Sequence, residues 1–154
     1  MDAKYVFDTN IFIELQRRQP IDVYPSVWEK IGELMETEVI VSSQEVYEEI
    51  LVGNDSLAAW AKQREPYFLL TDEATQIEVR SILTKYRGLV EGGKKKNSAD
   101  PFVIAIAKML GGSVVSQEVR SNNPDSPKIP DVCSDLGIVC LNFVDFSRKL
   151  KLEF

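Results

Sequence analysis

The chain has 154 residues, 44% of them hydrophobic and 27% charged, which is typical of a globular protein with a sizeable buried core and argues against disorder. Its 24 acidic and 18 basic residues give a net charge of −6, so bulk electrostatics repel nucleic acid unless cations or a basic patch compensate. It contains no histidine, which excludes histidine-dependent triads and histidine-ligated metal sites and leaves carboxylates as ligands for hard cations such as Mg²⁺ or Mn²⁺.

Two further features predict a cytoplasmic protein. No charged leader with a long apolar core precedes the first apolar run, and no stretch reaches the roughly 18 apolar residues of a membrane span. The two cysteines, Cys133 and Cys140, lie in apolar contexts, which favours reduced packing thiols over a disulfide or a zinc site.

The first part of the sequence predicts a βαβ unit. The apolar residues 4–7 predict a buried strand that ends at Asp8, and apolar residues at helical spacing follow it until Pro20. A helix from Pro25 and a second buried strand at residues 39–41 complete the unit.

Helices are expected to dominate the middle of the chain. Ser42, with Glu45 three residues later, has the form of a capping box, which predicts the start of a third helix. Apolar spacing predicts two more helices, one ending at Pro66 and one running from Thr71 to Gly88, so we expect the whole middle region to be helical.

The remaining sequence predicts a loop and then further strands and helices. Residues 87–98, RGLVEGGKKKNS, contain three glycines and three consecutive lysines, which predicts a mobile loop. A buried helix from Pro101, strands at 113–116 and 138–141, a short helix between them and a final amphipathic helix follow. Short apolar strands that alternate with helices predict an α/β sandwich with a mainly parallel sheet, whose ligands gather at the carboxyl ends of the strands.

Four carboxylates from distant positions are expected to meet at this edge of the sheet. Asp8 ends the first strand, Asp100 begins the buried helix before the third strand, and Glu118 follows that strand. Glu49 lies on the helix after the second strand, at the boundary of its buried face. Because like charges in one site raise each other's pKa values unless a cation holds them, the four acids predict a divalent metal site suited to phosphodiester hydrolysis.

Each of these acids also has a purely structural interpretation. Asp8 suits a turn at the strand end, and Glu118 suits a solvated loop. Asp100 followed by Pro101 has the form of a helix N-cap with proline at the first helical position, so capping alone would explain it.

Three glutamates on the third predicted helix compete for one role. Glu45 and Glu49 share a face, whereas Glu48 is turned about 100° from Glu49. Because Glu45 is assigned to the capping box, Glu49 is the candidate, and a solvated acidic helix face is the alternative.

The segments that carry the four acids resemble the motifs of PIN-domain proteins, and the chain is similar over nearly its whole length to the VapC-type toxins. The matching segments are FDTNIFIEL with Asp8, Thr9 and Asn10, VSSQEVYEEI with Glu49, ADPFVIAIA with Asp100, and VVSQE with Glu118. YPSVWEKI, NDSLAAW and KIPDVC point to a PIN-like subfamily long known only as a domain of unknown function. One departure lies in the fourth motif, which more often carries Asp after Thr, whereas this chain has Ser116 and Glu118.

The resemblance implies a PIN-like three-layer α/β/α sandwich with a short, mainly parallel central sheet, formed by residues 1–154 as one domain. It also implies a metal-dependent endoribonuclease that uses Mg²⁺ or Mn²⁺ and acts on RNA. Proteins of this kind are often the toxin of a toxin–antitoxin pair, with an antitoxin protein as partner, and are often homodimers.

We assign expected roles to the site residues on this basis. Asp8 and Asp100 hold the ion, and water activated by the ion attacks phosphorus. Glu49 and Glu118 complete or orient the water shell of the ion. The residues expected to support the site, by orienting carboxylates or by capping the first helix, are Thr9, Asn10 and Ser116.

A run of lysines offers the positive charge that RNA binding requires in an acidic protein. Lys94, Lys95 and Lys96, with Lys85 and Arg87 nearby, are expected to grip an RNA backbone beside the metal. A solubilising loop is the alternative, because charge runs are usually solvated.

Two rival functions follow from the same residues. The altered fourth motif with Glu118 motivates one alternative, a catalytically silent PIN-like module that binds RNA or a protein partner. The strand-end Asp8 suggests a phosphatase or phospho-receiver, but an aspartyl-phosphate enzyme would need a second acid at the position that Asn10 occupies.

Overall fold

The protein, a computed structural model that describes residues 3–89 and 98–154, is built on a parallel sheet. Within these residues five strands lie in the order β3-β2-β1-β4-β5, and every neighbouring pair is parallel. The strands are β1 (Tyr5–Phe7), β2 (Ile40–Ser43), β3 (Phe68–Leu69), β4 (Ser113–Val115) and β5 (Cys140–Leu141). The short, mainly parallel sheet predicted from the sequence is confirmed.

Helices pack against this sheet. The eight α-helices of the described ranges are α1 (Thr9–Arg18), α2 (Pro25–Glu36), α3 (Gln44–Val52), α4 (Ser56–Lys62), α5 (Glu73–Lys85), α6 (Asp100–Leu110), α7 (Ile129–Leu136) and α8 (Phe143–Lys149). The apolar α6 lies against β1, β2 and β4 and also packs on α5 and α7, while α1, α3 and α4 pack together. The predicted α/β/α sandwich is confirmed. None of the helices in the described part of the chain is long and apolar enough to cross a membrane.

The central strand, β1, carries the first acid to the edge of the sheet. Strands pair on both of its sides, and Tyr5 aligns with Ile40 of β2 and with Ser113 of β4. The ladder continues past the strand, since the Asp8 N–H donates to the Val115 carbonyl at 3.0 Å. Asp8 therefore stands at the carboxyl edge, beside the residues that follow β4.

Two of the subfamily segments, YPSVWEKI and NDSLAAW, are explained by packing. Their tryptophans, Trp28 and Trp60, meet edge to face with ring centroids 5.0 Å apart, and the Arg64 guanidinium lies 4.4 Å from the centroid of the Trp60 ring. A Cβ on Gly32 would lie 2.6 Å from Arg64 Nη2, so the glycine leaves the space that the guanidinium fills. These segments therefore join α2 to α4.

The prediction of a wholly helical middle region is wrong, because β3 lies within it. A 3₁₀ turn at Glu65–Tyr67 leads directly into β3, and a two-residue strand is too short to show an alternating pattern in the sequence. The helix predicted from Thr71 begins at Glu73, after Asp72, whose side chain accepts a hydrogen bond from the Thr75 N–H at 2.8 Å.

The predicted capping box at Ser42 is wrong by one residue. Ser43 is the N-cap of α3, and its hydroxyl oxygen accepts from the Val46 N–H at 3.1 Å. Ser42 lies in β2, and its hydroxyl donates to the backbone of β1 at 2.5 Å. Glu45 accepts from the Thr71 hydroxyl at 3.5 Å and does not complete the box. Glu45 lies three residues after Ser42 and so imitates a capping box there, but β2 extends through Ser43, which pairs with Leu69, and the helix begins only after it.

Candidate metal site

Three carboxylates converge at the carboxyl edge of the sheet. Asp8 follows β1, Asp100 opens α6, and Glu118 follows β4. One oxygen of each side chain lies within 4.8 Å of the other two, and we call this group the carboxylate cluster. Asp8 is 2% exposed and the other two acids are half-buried, so the cluster is set into the protein.

The pKa of Asp8 is raised well above its usual range. Burial is the largest cause, and the negative charges of Asp100 and Glu118 follow it. Hydrogen bonds from the Thr9 N–H and the Ser116 hydroxyl lower this pKa again in part. A cation in the cluster would replace this repulsion with attraction.

Two hydrogen bonds fix the Asp8 carboxylate. Oδ1 accepts from the Thr9 N–H at 2.8 Å, which makes Asp8 the N-cap of α1. Oδ2 accepts from the hydroxyl of Ser116, a buried residue, at 3.1 Å. Asp8 therefore has both of the roles that the sequence left open: it ends the strand, and its carboxylate joins the cluster.

Asn10 fixes the segment that follows β4. Its Oδ1 accepts from the Gln117 N–H at 2.9 Å, and its amide donates to Ser116 Oγ at 3.4 Å. The same Ser116 oxygen accepts from the Glu118 N–H at 3.1 Å. Within the described residues, Asn10 therefore acts on the carboxylates through Ser116.

Glu49 lies beside the cluster and joins segments that carry it. Its Oε2 accepts from the Thr9 hydroxyl at 2.5 Å, and its Oε1 accepts from the Ala99 N–H at 3.1 Å. Thr9 begins α1 and Ala99 precedes α6, so Glu49 on α3 holds the start of both helices. It is not one of the three carboxylates that meet within 4.8 Å, and its place in a metal's water shell stays a prediction.

The N-cap interpretation of Asp100 is wrong. Ala99 occupies the N-cap position of α6, so Asp100 is the first helical residue, and its N–H donates to the Ser98 hydroxyl at 3.2 Å. Pro101 lacks an N–H, which suits the first turn of a helix. Asp100 therefore lies in the first turn of α6.

Glu118 connects the cluster to α7. Its Oε2 accepts from the N–H of Ile129, the first residue of that helix, at 3.1 Å. Because Glu118 is half-buried and hydrogen-bonded, the solvated-loop interpretation is wrong. Residues 119–128, which we call the returning segment, leave the sheet edge at Glu118 and come back to it at Ile129.

Asp131, which sequence reasoning missed, organises the returning segment. Its carboxylate accepts from the N–H groups of Ser121, Asn122 and Lys128 at 2.9, 3.2 and 2.8 Å, and from the Ser121 hydroxyl at 3.1 Å. Burial by itself would raise the pKa of Asp131, but these hydrogen bonds lower it below its usual range. The acid at the third position of the helix in KIPDVC could have indicated its bond to the N–H of Lys128 at the N-cap, but no local signal indicates its contacts with Ser121 and Asn122.

Of the basic residues predicted to contact RNA, some lie outside the part of the chain that the structure describes and others lie within it. The predicted RNA-binding lysines, which lie outside the described residues, are Lys94, Lys95 and Lys96. Lys85 is described, and its ammonium lies 3.5 Å from the Asp135 carboxylate and 5.4 Å from the centre of the Tyr86 ring. Its charge is therefore already partly balanced, whereas Arg87 is exposed on a 3₁₀ turn.

The two cysteines are free thiols, as predicted. Cys133 is buried on α7, and Cys140 is half-buried on β5. A hydrogen bond with Cys140, followed by burial, raises the pKa of Cys133, so this thiol stays protonated and acts as a packing group.

The sheet order and the helices around the sheet define an α/β protein with a PIN-like fold. The chain belongs to the family described as Domain of unknown function (DUF4411), whose pattern matches residues 5–154. A comparison with curated proteins gives no match.

Solved structures share this fold at low sequence identity. FitAcB from Neisseria gonorrhoeae matches with a TM-score of 0.54 and 16% identity, covering 90% of this chain and 96% of that chain. FitAB bound to an IR36 DNA fragment gives a TM-score of 0.57 and 17% identity, covering 90% and 94%. VapBC2 from Rickettsia felis, bound to a DNA fragment from its promoter, gives 0.55 and 13%, covering 92% and 99%. These likenesses establish the fold.

Proposed function

We propose that this chain is a divalent-metal-dependent endoribonuclease and the toxin of a toxin–antitoxin pair. The observation that carries the hydrolase part is the cluster of Asp8, Asp100 and Glu118. The toxin part rests on the likeness to FitAB and VapBC2, which are toxin–antitoxin complexes. RNA as the substrate rests on the resemblance of the four motifs to those of PIN-domain proteins.

The donor set of the cluster fits a hard divalent cation. All three candidate ligands are carboxylate oxygens, which Mg²⁺ and Mn²⁺ prefer to softer donors. Because burial and two neighbouring carboxylates raise the pKa of Asp8, a bound cation would offset a repulsion that is built into the site. Asp8 and Asp100 would hold the ion, with Glu118 completing its shell. When bound, such an ion polarises the scissile phosphate and activates the attacking water.

The chain's own residues fix the geometry of this site. The Thr9 N–H and the Ser116 hydroxyl donate to Asp8 and favour its charged form. Glu49 holds the start of α6 and so positions Asp100. Ligands that are already held in place lose little conformational freedom when a cation and a phosphodiester bind, which favours a rapid reaction.

Cleavage of a labelled RNA of mixed sequence, with Mg²⁺ or Mn²⁺, tests the hydrolase. Asp8→Asn and Asp100→Asn are each expected to lower the cleavage rate by more than about a hundredfold, and EDTA is expected to stop the reaction. Glu48→Gln, an exposed glutamate on α3, is the matched control and keeps the wild-type rate. Cleavage that persists in EDTA, or that is unchanged in both Asn variants, would end the proposal.

The catalytically silent module is the alternative, and the altered fourth motif with Glu118 motivates it. Titration of Mn²⁺ by calorimetry separates the two. The nuclease predicts a site that is lost in Asp8→Asn and whose filling switches on RNA cleavage. A Mn²⁺ site that fills normally while no RNA is cut would favour the silent module.

The toxin role has its own test in living cells. Induced expression of the chain is expected to arrest growth, and expression of Asp8→Asn to equal amounts is expected not to do so. Co-expression of a protein encoded beside this gene should restore growth and form a complex with the chain. Unimpaired growth with an enzyme that cleaves RNA in the test tube would refute the toxin role and leave the hydrolase standing.

A further inference from the structure

A cavity of about 450 Å³ lies where the C-terminal end of α5 faces the returning segment and α7. The residues that give this cavity its chemistry are Tyr86, Asn122, Asn123, Pro124, Asp131 and Asp135. We call it the amide pocket, because two asparagine side chains line it. Its volume lies within the usual range for sites that bind small molecules or single residues of a polymer.

The walls of the amide pocket are fixed to each other. A Cβ on Gly88 would lie 2.0 Å from the Asp125 carbonyl oxygen, so the chain after α5 runs directly against the returning segment. The Tyr86 hydroxyl donates to the Asp135 carboxylate on α7. Asp131 holds the backbone of the returning segment through three N–H groups. The pocket is therefore formed before any ligand arrives.

The pocket is linked to the carboxylate cluster by a short path. The returning segment begins directly after Glu118, and the Ile129 N–H at its far end donates to the Glu118 carboxylate. Asp131, which lines the pocket, follows Ile129 by two residues on α7. A polymer whose scissile phosphate lies at the cluster would therefore have a neighbouring residue within reach of the pocket.

The charges of the pocket exclude a phosphate as its ligand. Asp131 and Asp135 are both acidic, and the ammonium of Lys85, which also lines the pocket, lies 3.5 Å from the Asp135 carboxylate. An anion entering the pocket would meet a net negative lining, which is unfavourable. A neutral group that can donate hydrogen bonds fits this lining better.

The polar and aromatic groups of the pocket suit a planar ring with hydrogen-bonding edges. Asn122 and Asn123 offer amide donors and acceptors, and Tyr86 offers an aromatic ring. Single-stranded RNA is usually recognised in this way, through bases that stack on aromatic side chains and bond through their exposed edges. Asn123 Oδ1 already accepts from the Asp125 N–H at 3.0 Å, which fixes its amide and assigns its NH₂ group the donor role.

We propose that the amide pocket binds one base of a single-stranded RNA whose scissile phosphate lies at the carboxylate cluster. This inference rests on the proposed ribonuclease function, and it deepens that function by assigning a base-recognition site. Tyr86 stacks on the base, and Asn122 and Asn123 bond to its edge. The phosphates on either side stay outside the acidic lining.

Asn122→Gly is the variant that tests the pocket, because glycine tolerates the positive φ of 54° at this position while removing the amide. Asn54→Gly is its matched control, since Asn54 also has a positive φ, of 45°, lies between α3 and α4 and does not line the pocket. Asn123→Asp is a second variant, which keeps the acceptor for the Asp125 N–H and removes the NH₂ donor.

The measurement is binding of fluorescent hexanucleotide RNAs, by anisotropy, in an Asp8→Asn background that keeps the RNA intact. One RNA carries all six bases, and the others each carry one abasic position. Asn122→Gly is expected to weaken binding of the complete RNA by about tenfold, and Asn54→Gly to leave it unchanged. One abasic RNA is expected to bind as weakly as the complete RNA binds to Asn122→Gly, with no further loss when the two changes are combined.

The outcomes separate this inference from the proposed function. If Asn122→Gly and Asn123→Asp bind the complete RNA as tightly as Asn54→Gly does, the inference is overturned, even if the wild type cleaves RNA. If Asn122→Gly weakens binding of the complete RNA and of every abasic RNA by the same factor, the inference is also overturned, because that loss would come from distortion of the fold. If the wild type cleaves nothing but the pocket variants lose base-dependent binding, the hydrolase proposal fails and the pocket assignment stands.

Discussion

Two aspartates in similar local settings, Asp8 and Asp131, behave in opposite ways. Each lies at the start of a helix and accepts hydrogen bonds from nearby backbone N–H groups. Burial and the charges of Asp100 and Glu118 raise the pKa of Asp8, whereas hydrogen bonds outweigh burial and lower the pKa of Asp131. The difference is that the charges of two neighbouring carboxylates raise the pKa of Asp8, whereas the causes that act on the pKa of Asp131 are burial and hydrogen bonds.

This contrast distinguishes an acid that we propose binds a metal ion from an acid that stabilises the fold. Asp131 satisfies the donors of the returning segment and is stabilised in its charged form by them. Asp8 is held in a buried position where burial and the neighbouring carboxylates disfavour its charged form. Buried charges with shifted pKa values are typical of functional sites, where the arrangement needed for function lowers the stability of the fold.

The largest expected effect concerns Asp8 itself. Asp8→Asn should lower RNA cleavage by more than about a hundredfold and leave the free energy of unfolding of the metal-free protein unchanged or higher, because the substitution removes a repulsion. Cleavage assays and urea denaturation in EDTA measure the two quantities. A variant that unfolds more easily than the wild type without metal would place Asp8 in the same class as Asp131.

Asp131→Ala should show the reverse pattern. We expect the free energy of unfolding to fall by about 2 kcal/mol, because three backbone donors and the Ser121 hydroxyl lose their acceptor. Urea denaturation measures this loss, and Asp125→Ala on the exposed part of the same segment is the control. A loss no larger than that of Asp125→Ala would contradict the structural role of Asp131.

Glu49→Gln tests a residue whose expected role lies between those of Asp8 and Asp131, because Glu49 positions the site without belonging to the carboxylate cluster. Glutamine can still accept from the Thr9 hydroxyl, but its NH₂ cannot accept from the Ala99 N–H at the start of α6. We expect cleavage to fall by about tenfold, the usual cost of disturbing a group that orients a metal ligand. Glu48→Gln provides the baseline, and equal rates for the two variants would remove Glu49 from the site.

The smallest effect is a dependence of stability on pH. A carboxyl whose pKa is raised in the folded protein holds its proton more tightly there than in the unfolded chain, so the folded protein loses stability as pH rises. For Asp8 the loss should begin near its ordinary pKa, about 4, and continue through its raised value. The lowered pKa of Asp131 acts in the opposite sense, and its stabilisation disappears as pH falls below about 4.

This pH dependence is measured as the difference in free energy of unfolding between wild type and Asp8→Asn, in EDTA. The difference should grow in favour of the variant as pH rises, and saturating Mg²⁺ should reverse it. If the difference in free energy of unfolding stays constant with pH, folding does not raise the pKa of Asp8.

Much of the fold is predictable because its elements are marked by local patterns. Runs of apolar residues and helix-start signals identify β1, α2 and α6. β3 escapes detection because its two residues carry no alternation, and the cap of α3 is misplaced because Glu45, three residues after Ser42, imitates a capping box. Both errors lie where β2 and β3 pair, a long-range interaction that local patterns do not show.

The candidate site is predictable to the extent that strand ends share one edge of a parallel sheet. That rule brings Asp8 and Glu118 together and allows α6 to add Asp100. The contacts of Asp131 with the returning segment are not predictable in this way, because they depend on the path of a loop that has no periodicity. The metal-binding and catalytic roles of these acids remain predictions.

The hydrogen bond between Glu118 and Ile129 would make one side chain common to the two binding events that we propose, that of the cation and that of the base. A metal ion bound to the Glu118 carboxylate and a base bound against the returning segment would each restrict the side-chain torsions of Glu118. Thermodynamic reciprocity then requires that whatever factor the cation adds to the affinity for the nucleotide, the nucleotide adds to the affinity for the cation. If that factor exceeds one, the proposed enzyme would bind its metal ion more tightly when an RNA strand is already in place.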